Sequence, residues 1–242
     1  MDIGSSTDTD SVERRQTLLT PDSLASYIQH TLIEPGVTRD DIVAHCKEGV
    51  QYGFNAVMIP GCWVGLARDV LSGSGVAVGS AVDFPLGIMS TVGKVAEAEA
   101  LVRAGAEQLD IGVQIGWLRS GLLDAFRADI AAVVAAVSPT PIKVMLELPL
   151  LTPVQRDAAV RLSVEAGVAY VKNASSGAIG VATPEQMRYL RSHTPRNVGV
   201  KASGGIKTFE QAVALLENGA DILGTSAGLA IIGAGSATAG SY

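Results

Sequence analysis

The chain has 242 residues, 48% of them hydrophobic, with a formal net charge of −6 and an isoelectric point near 5.1. That is apolar content for one full core, while scattered basic residues on an acidic chain exclude a nucleic-acid surface and favour a small-molecule partner. The two cysteines, Cys46 and Cys62, lack CxxC spacing, so neither a disulfide framework, a metal nor another cofactor is expected, and the compartment reads as reducing cytoplasm.

Residues 1–20 are polar and without the basic-then-apolar order of a signal peptide; this segment is expected to be disordered. No run of about 18 apolar residues offers a membrane span. From residue 21 to 232 short apolar runs alternate with helix-like segments. The expected strands are Ile28–Ile33, Ala56–Ile59, Val76–Val82, Gln108–Val113, Ile142–Leu148, Val168–Lys172, Val198–Ala202 and Asp221–Gly224. Between them the pattern predicts helices over Arg39–Tyr52, with Thr38 as N-cap, then over Val64–Leu71, Val92–Arg103, Ser120–Val137, Thr152 to before Gly167, Pro184–Ser192 and Phe209–Asn218. A phrase recurs in YGFNAVMI, AGAEQLDIG, AGVAYVKN and NGADILGTS. Its glycines, Gly53, Gly105, Gly167 and Gly219, suit helix C-caps and recur every 50–60 residues or so, about two βα units each. The fold class is α/β, a single-domain (β/α)8 TIM barrel over 21–232, with a flexible tail at 233–242.

Active sites of such barrels lie at the carboxyl ends of the strands. Lys172 and Lys201 each end a Val-rich run and lead into small residues. On adjacent parallel strands, about 4.8 Å apart, they would open into one mouth. Two ammonium groups about 5 Å apart repel by roughly 3 kcal/mol at an effective dielectric near 20, enough to depress one pKa by about two units. A lysine so depressed can attack a carbonyl and form a Schiff base; a solitary strand-end lysine is ordinarily a solvated cap. Asp110, in the run LDIGV, supplies a counter-charge and a proton relay, or a structural ion pair. Lys143 begins its strand and is assigned to the opposite, stability end. Ser203-Gly204-Gly205 and Gly224-Thr225-Ser226, with Lys207 nearby, have the small-residue composition of a barrel phosphate site. His30 reads as a core or rim residue, and His45 and His193 as helix-face or loop residues.

The segments HTLIEP, FPLG, GAEQLDIGVQIG, AGVAYVKNASSG, VGVKASGGIKT and NGADILGTS resemble the deoxyribose-phosphate aldolase family over nearly all of Leu24 to Ile232. The resemblance implies a metal-independent class I lyase that cleaves 2-deoxyribose 5-phosphate reversibly into acetaldehyde and glyceraldehyde 3-phosphate. It assigns Lys172 as the Schiff-base lysine, Lys201 as the neighbour that lowers its pKa and Asp110 as proton relay. Gly204, Gly205, Lys207, Gly224 and Ser226 would hold phosphate, Ser175 would contact substrate, and the terminal Tyr242 can fold over the site. A homo-oligomer, a dimer by analogy with barrels of this kind, is expected. The chain also departs from the family pattern. Asn173-Ala174-Ser175-Ser176 stands for Thr-Ser-Thr-Gly, Gln29 for Asp, Asp83 for Gly, Gln114 for Asn and Ala227 for Ser. These departures motivate two alternatives: an imine-forming aldolase or lyase with a different carbonyl substrate, and a non-catalytic sugar-phosphate-binding barrel.

Overall fold

The structure, a computed structural model, describes residues 19–234. The segment expected to be disordered therefore lies, for residues 1–18, outside the described residues, as does the tail from residue 235 with Tyr242. Helix α1 (Pro21–Ala25) comes first, and Thr20 caps it in a reciprocal bond with Ser23. Then follow β1 (Ile28–Thr31), α2 (Arg39–Tyr52), β2 (Ala56–Met58), a 3-10 turn (Gly61–Trp63), α3 (Val64–Leu71), β3 (Ala77–Val82), α4 (Thr91–Ala104) and β4 (Gln108–Gly112). The second half holds α5 (Ile115–Arg119), α6 (Leu123–Val137), β5 (Ile142–Met145), a 3-10 turn (Leu148–Leu150), α7 (Pro153–Glu165), β6 (Tyr170–Lys172), α8 (Pro184–His193), β7 (Gly199–Ser203), α9 (Phe209–Glu217), β8 (Ile222–Thr225) and α10 (Gly228–Ile231). The eight strands close in sequence order into one barrel, each pairing in parallel with the next and β8 with β1.

Local chemistry sets the element boundaries. Thr38, Thr152 and Thr208 form capping boxes with Asp41, Gln155 and Gln211, which satisfies helix N–H groups that have no carbonyl of their own. All four repeat glycines have positive φ, where a side chain would be strained. The expected helix over Ser120–Val137 begins instead at Leu123, because Gly121 adopts φ 75° and closes the separate helix α5. The expected fifth strand stops at Met145, and Glu147 turns the chain with φ 50° into a 3-10 turn. The short helices α1 and α10 were not expected.

Alternation along the strands separates two environments. Outward residues such as Ile28, Val57, Val78, Leu109, Ile111, Val144, Val171, Val200 and Leu223 are buried under the helices in one apolar core that includes Phe126, Ile130 and Val133. Inward residues alternate long polar chains with very small ones. A Cβ on Gly79, Gly199 or Gly224 would lie 2.2 Å from Met58, 2.2 Å from Tyr170 or 3.0 Å from Lys201. These glycines thus leave room for the long inward side chains, Lys201 among them.

A buried charge cluster holds the β3–α4 loop. Lys94 Nζ donates to Asp129 Oδ2 and to the Gly112 carbonyl, both at 2.8 Å, and lies 3.5 Å from Asp83. Asp83, at φ 53°, accepts from the backbone N–H groups of Ile88 and Met89 at 3.1 and 2.9 Å. Left-handed backbone at this position gives a physical reason for a glycine in related chains; here the carboxylate's two hydrogen bonds offset the strain. Lys94→Met would strand Asp129 and Asp83 in the core, and we expect a loss of about 3–5 kcal/mol, measured by urea unfolding.

Candidate active site

Strands β4, β5, β6 and β7 bring four charged side chains together inside the barrel. Asp110 Oδ2 accepts from Lys201 Nζ at 2.7 Å and from Lys172 Nζ at 3.0 Å, and Lys143 Nζ lies 3.1 Å from Oδ1. All four are at most 1% exposed. Lys172 and Lys201 are register partners across β6 and β7, as expected from the sequence.

Lys143 corrects the sequence reading. It stands near the start of β5, opposite Asp110 in register, but it faces inward and its four-carbon stem delivers the amine to the carboxylate. A position at the stability end of a strand places the Cα, not the end of a lysine. Its place at the start of the strand is the signal that sets it apart from Lys172, and that signal misleads; the inward parity shared with Asp110 corrects it once the register is known.

The charge balance is lopsided, with three amines facing one carboxylate. Burial alone would raise the Asp110 pKa, but Lys201, Lys172 and Lys143 together hold it well below the usual carboxylate range. Burial, reinforced by the charges of Lys172 and Lys143 and opposed by Asp110, pushes Lys201 well below an ordinary lysine. Burial, again opposed by Asp110 and reinforced by Lys172, also lowers Lys143. Lys201 and Lys143 thus shed protons more readily than free lysine. Lys201 makes a further bond, at 2.5 Å, to Gln29 Oε1. Gln29 in turn donates to Gln108 at 2.7 Å and to Asn55 at 3.2 Å, fixing its amide with oxygen toward the lysine. A neutral partner there stabilises the ammonium less than a carboxylate would.

The loops beyond the lysines are tied together by side chains. Asn173 bridges β6 to β7: its Oδ1 accepts from the Ser203 N–H at 2.9 Å, and its Nδ2 donates to the Ser203 carbonyl at 3.0 Å. Ser203 Oγ donates to the Ala174 carbonyl at 2.7 Å. Glu147 accepts from the Ser175 N–H at 3.0 and 3.1 Å, and burial raises its pKa. Ser175 Oγ is buried and has no partner among the described residues, while the Ser175 carbonyl lies 3.4 Å from Lys172 Nζ. The sequence puts Glu147 near the carboxyl end of the fifth strand and marks Asn173 as a departure from the family pattern, but it gives neither a role. Their roles depend on contacts between loops about 30 residues apart.

Of the expected anion-binding residues, Gly204 and Gly205 adopt φ 97° and 69°. A Cβ on Gly204 would sit 2.3 Å from the Gly180 carbonyl, so this loop packs directly on the one after β6. Ser226 follows β8 and lines a cavity of about 640 Å³ at the β1 and β8 rim. Lys207 is exposed, and its N–H donates to Gln211. Gly224 lies within β8, beside Lys201 rather than in a loop.

No protein-family model matches the chain. It is 39% identical over 220 residues to a deoxyribose-phosphate aldolase of Brevibacillus brevis, covering 91% of this chain and 100% of that protein. The chain belongs to the deoxyribose-phosphate aldolase family. A deoxyribose-phosphate aldolase of Thermococcus gammatolerans is 41% identical over 213 residues, with 86% and 95% covered. The tetrameric deoxyribose phosphate aldolase of Aeropyrum pernix superposes with a TM-score of 0.83 at 30% identity, covering 94% of this chain and 97% of that one. For this family member the amine cluster is the chemistry to test. Gln29→Glu places a carboxylate against Lys201 and returns protons to the cluster. The neutral-amine fraction then falls at any given pH, so the acidic limb of the kcat/KM profile should move to higher pH; a profile superimposable on the parent would contradict the charge-balance account.

Proposed function

We propose that the chain is a class I aldolase cleaving 2-deoxyribose 5-phosphate through an imine on Lys172. The observation that carries this reading is the buried group of three amines on one carboxylate, two of them adjacent in register at the catalytic end of the barrel. A neutral Lys172 amine adds to the C1 aldehyde, and the carbinolamine loses water to give the protonated imine. A base takes the C3 hydroxyl proton. The C2–C3 bond breaks, its electrons pass into the imine as an enamine, and glyceraldehyde 3-phosphate leaves. Protonation of the enamine at C2 and hydrolysis then release acetaldehyde and the amine. Asp110 and Lys201 relay protons through water in both halves. Asp110 also lowers the energy of the cationic imine, because it already faces that nitrogen at 3.0 Å.

Gly204, Gly205, Ser226 and the exposed Lys207 are proposed to take the phosphate, and Ser175 Oγ a substrate hydroxyl. Among the described residues no helix is long and apolar enough to cross a membrane. Cytoplasmic placement and self-association go with the same reading. Asn173, Ser176 and Ala227 favour a second reading, in which the imine chemistry acts on another aldol.

Treatment with deoxyribose 5-phosphate and borohydride should leave a reduced adduct on Lys172 by peptide mass spectrometry; full activity with Lys172 unmodified would refute the assignment. Asp110→Asn should lower kcat by about 10²–10⁴-fold, the range for loss of a positioned acid or base. Comparing kcat/KM for the phosphorylated and free sugars separates the two substrate readings: a negligible preference for phosphate, with faster turnover of another aldol, selects the second.

A further inference from the structure

His30 is the one titratable side chain among the described outward-facing strand residues, set in a mostly apolar layer between barrel and helices. Its ring is 3% exposed and stacks on His45 of α2, with centroids 4.0 Å apart and planes 19° from parallel. His30 Nε2 donates to Glu48 Oε2 at 3.0 Å. His30 Nδ1, packed toward Gly228, has no hydrogen-bond partner among the described residues, so the ring's polar contact is made through Nε2.

His45 is held by its other nitrogen. Its Nε2 donates to the His30 carbonyl at 3.1 Å, which leaves the lone pair on Nδ1. That atom faces the same Glu48 oxygen at 4.0 Å. The oxygen that accepts from His30 thus also faces the His45 lone pair, so two imidazoles and one carboxylate converge on one point. A backbone carbonyl behind a ligating histidine is the usual second-shell arrangement of a metal site.

We infer that His30, His45 and Glu48 form a binding site for one divalent transition-metal ion of the zinc type. Two imidazoles and a carboxylate suit that ion, and the fourth position of its tetrahedron takes water. The three ligand atoms already lie within 4.8 Å of one another. A tetrahedral zinc with bonds of about 2.0–2.1 Å needs separations of about 3.4 Å and lies in the plane of each ligating ring, so binding turns the two imidazoles out of their stack and moves the His30 proton from Nε2 to Nδ1 while Glu48 turns toward the ion. Glu48 is 37% exposed, and all three residues line the 640 Å³ cavity at the β1 and β8 rim, which provides an entry path and room for the bound water. The chain's cysteines contribute nothing here, and the ligands are separated in sequence by an intervening loop and half a helix.

The site stands apart from the imine cluster. His30 points away from the barrel axis, whereas Gln29, its neighbour on β1, points inward at Lys201. An ion here would pin α2 to β1 from outside. The test is calorimetric titration of the untagged, chelator-treated protein with Zn²⁺, together with the visible spectrum on adding Co²⁺. We expect one ion per chain and the intense absorption of four-coordinate cobalt. His45→Leu, which fills the same buried volume, and Glu48→Gln, at a half-exposed position, should each weaken Zn²⁺ binding by more than the 10–100-fold or so typical of losing a second-shell partner. His193→Ala, which removes the remaining histidine, should not. Should His45→Leu fail to fold, Glu48→Gln decides alone. Substoichiometric binding, undiminished affinity in Glu48→Gln, or loss only in His193→Ala would overturn the inference.

Discussion

A single carboxylate shared among three buried ammonium groups governs the interior of this protein. At 1% exposure Asp110 cannot be solvated, and unpaired it would be expensive to bury. Its neighbours oversupply the compensation. The excess positive charge has no water to spread into, and the cheapest relief is loss of a proton from an amine. Fold stability and chemical reactivity are thus two aspects of one electrostatic imbalance. Its surroundings accommodate it: Gly224 leaves room for the Lys201 stem, a neutral glutamine stands where an acid would restore basicity, and Asn173 ties together the two strands that carry Lys172 and Lys201.

The Lys94 cluster shows the opposite stoichiometry. There one cation meets two carboxylates and a carbonyl, and the product is a fixed loop. Asp83 and Glu147 are the two non-glycine residues with positive φ among those described. Both stand just past a strand end on the catalytic side, and each uses its carboxylate to hold the backbone of a loop. Strain of about 1–3 kcal/mol at such a residue persists only where surrounding contacts over-determine it; here the contacts are the loop N–H groups themselves. Asn173 performs a similar service between β6 and β7, so the run after Lys172 that departs most from the family pattern is also the run that couples the two lysine-bearing strands.

Strand β1 serves both sides of the barrel wall. Successive residues Gln29 and His30 project to opposite faces, one into the amine cluster and the other into the pair of stacked imidazoles. The strand is hydrogen-bonded to β2 and β8, so one stretch of fixed backbone holds both groups in place.

The barrel itself was legible in the linear chain. Four glycines at helix C-caps, threonines at N-caps and apolar runs of strand length are local signals, and each depends on a few adjacent residues. The same holds for Lys172, Lys201 and Asp110, whose meeting follows once their strands are ordered. Lys143, Asn173, Glu147 and the group His30, His45 and Glu48 were decided only in three dimensions. Their partners lie on other elements, and which face a residue presents depends on register. A strand reverses every side chain when its pairing slips by one residue, so a sequence can name the residues on a strand while the closed barrel alone determines which of them meet.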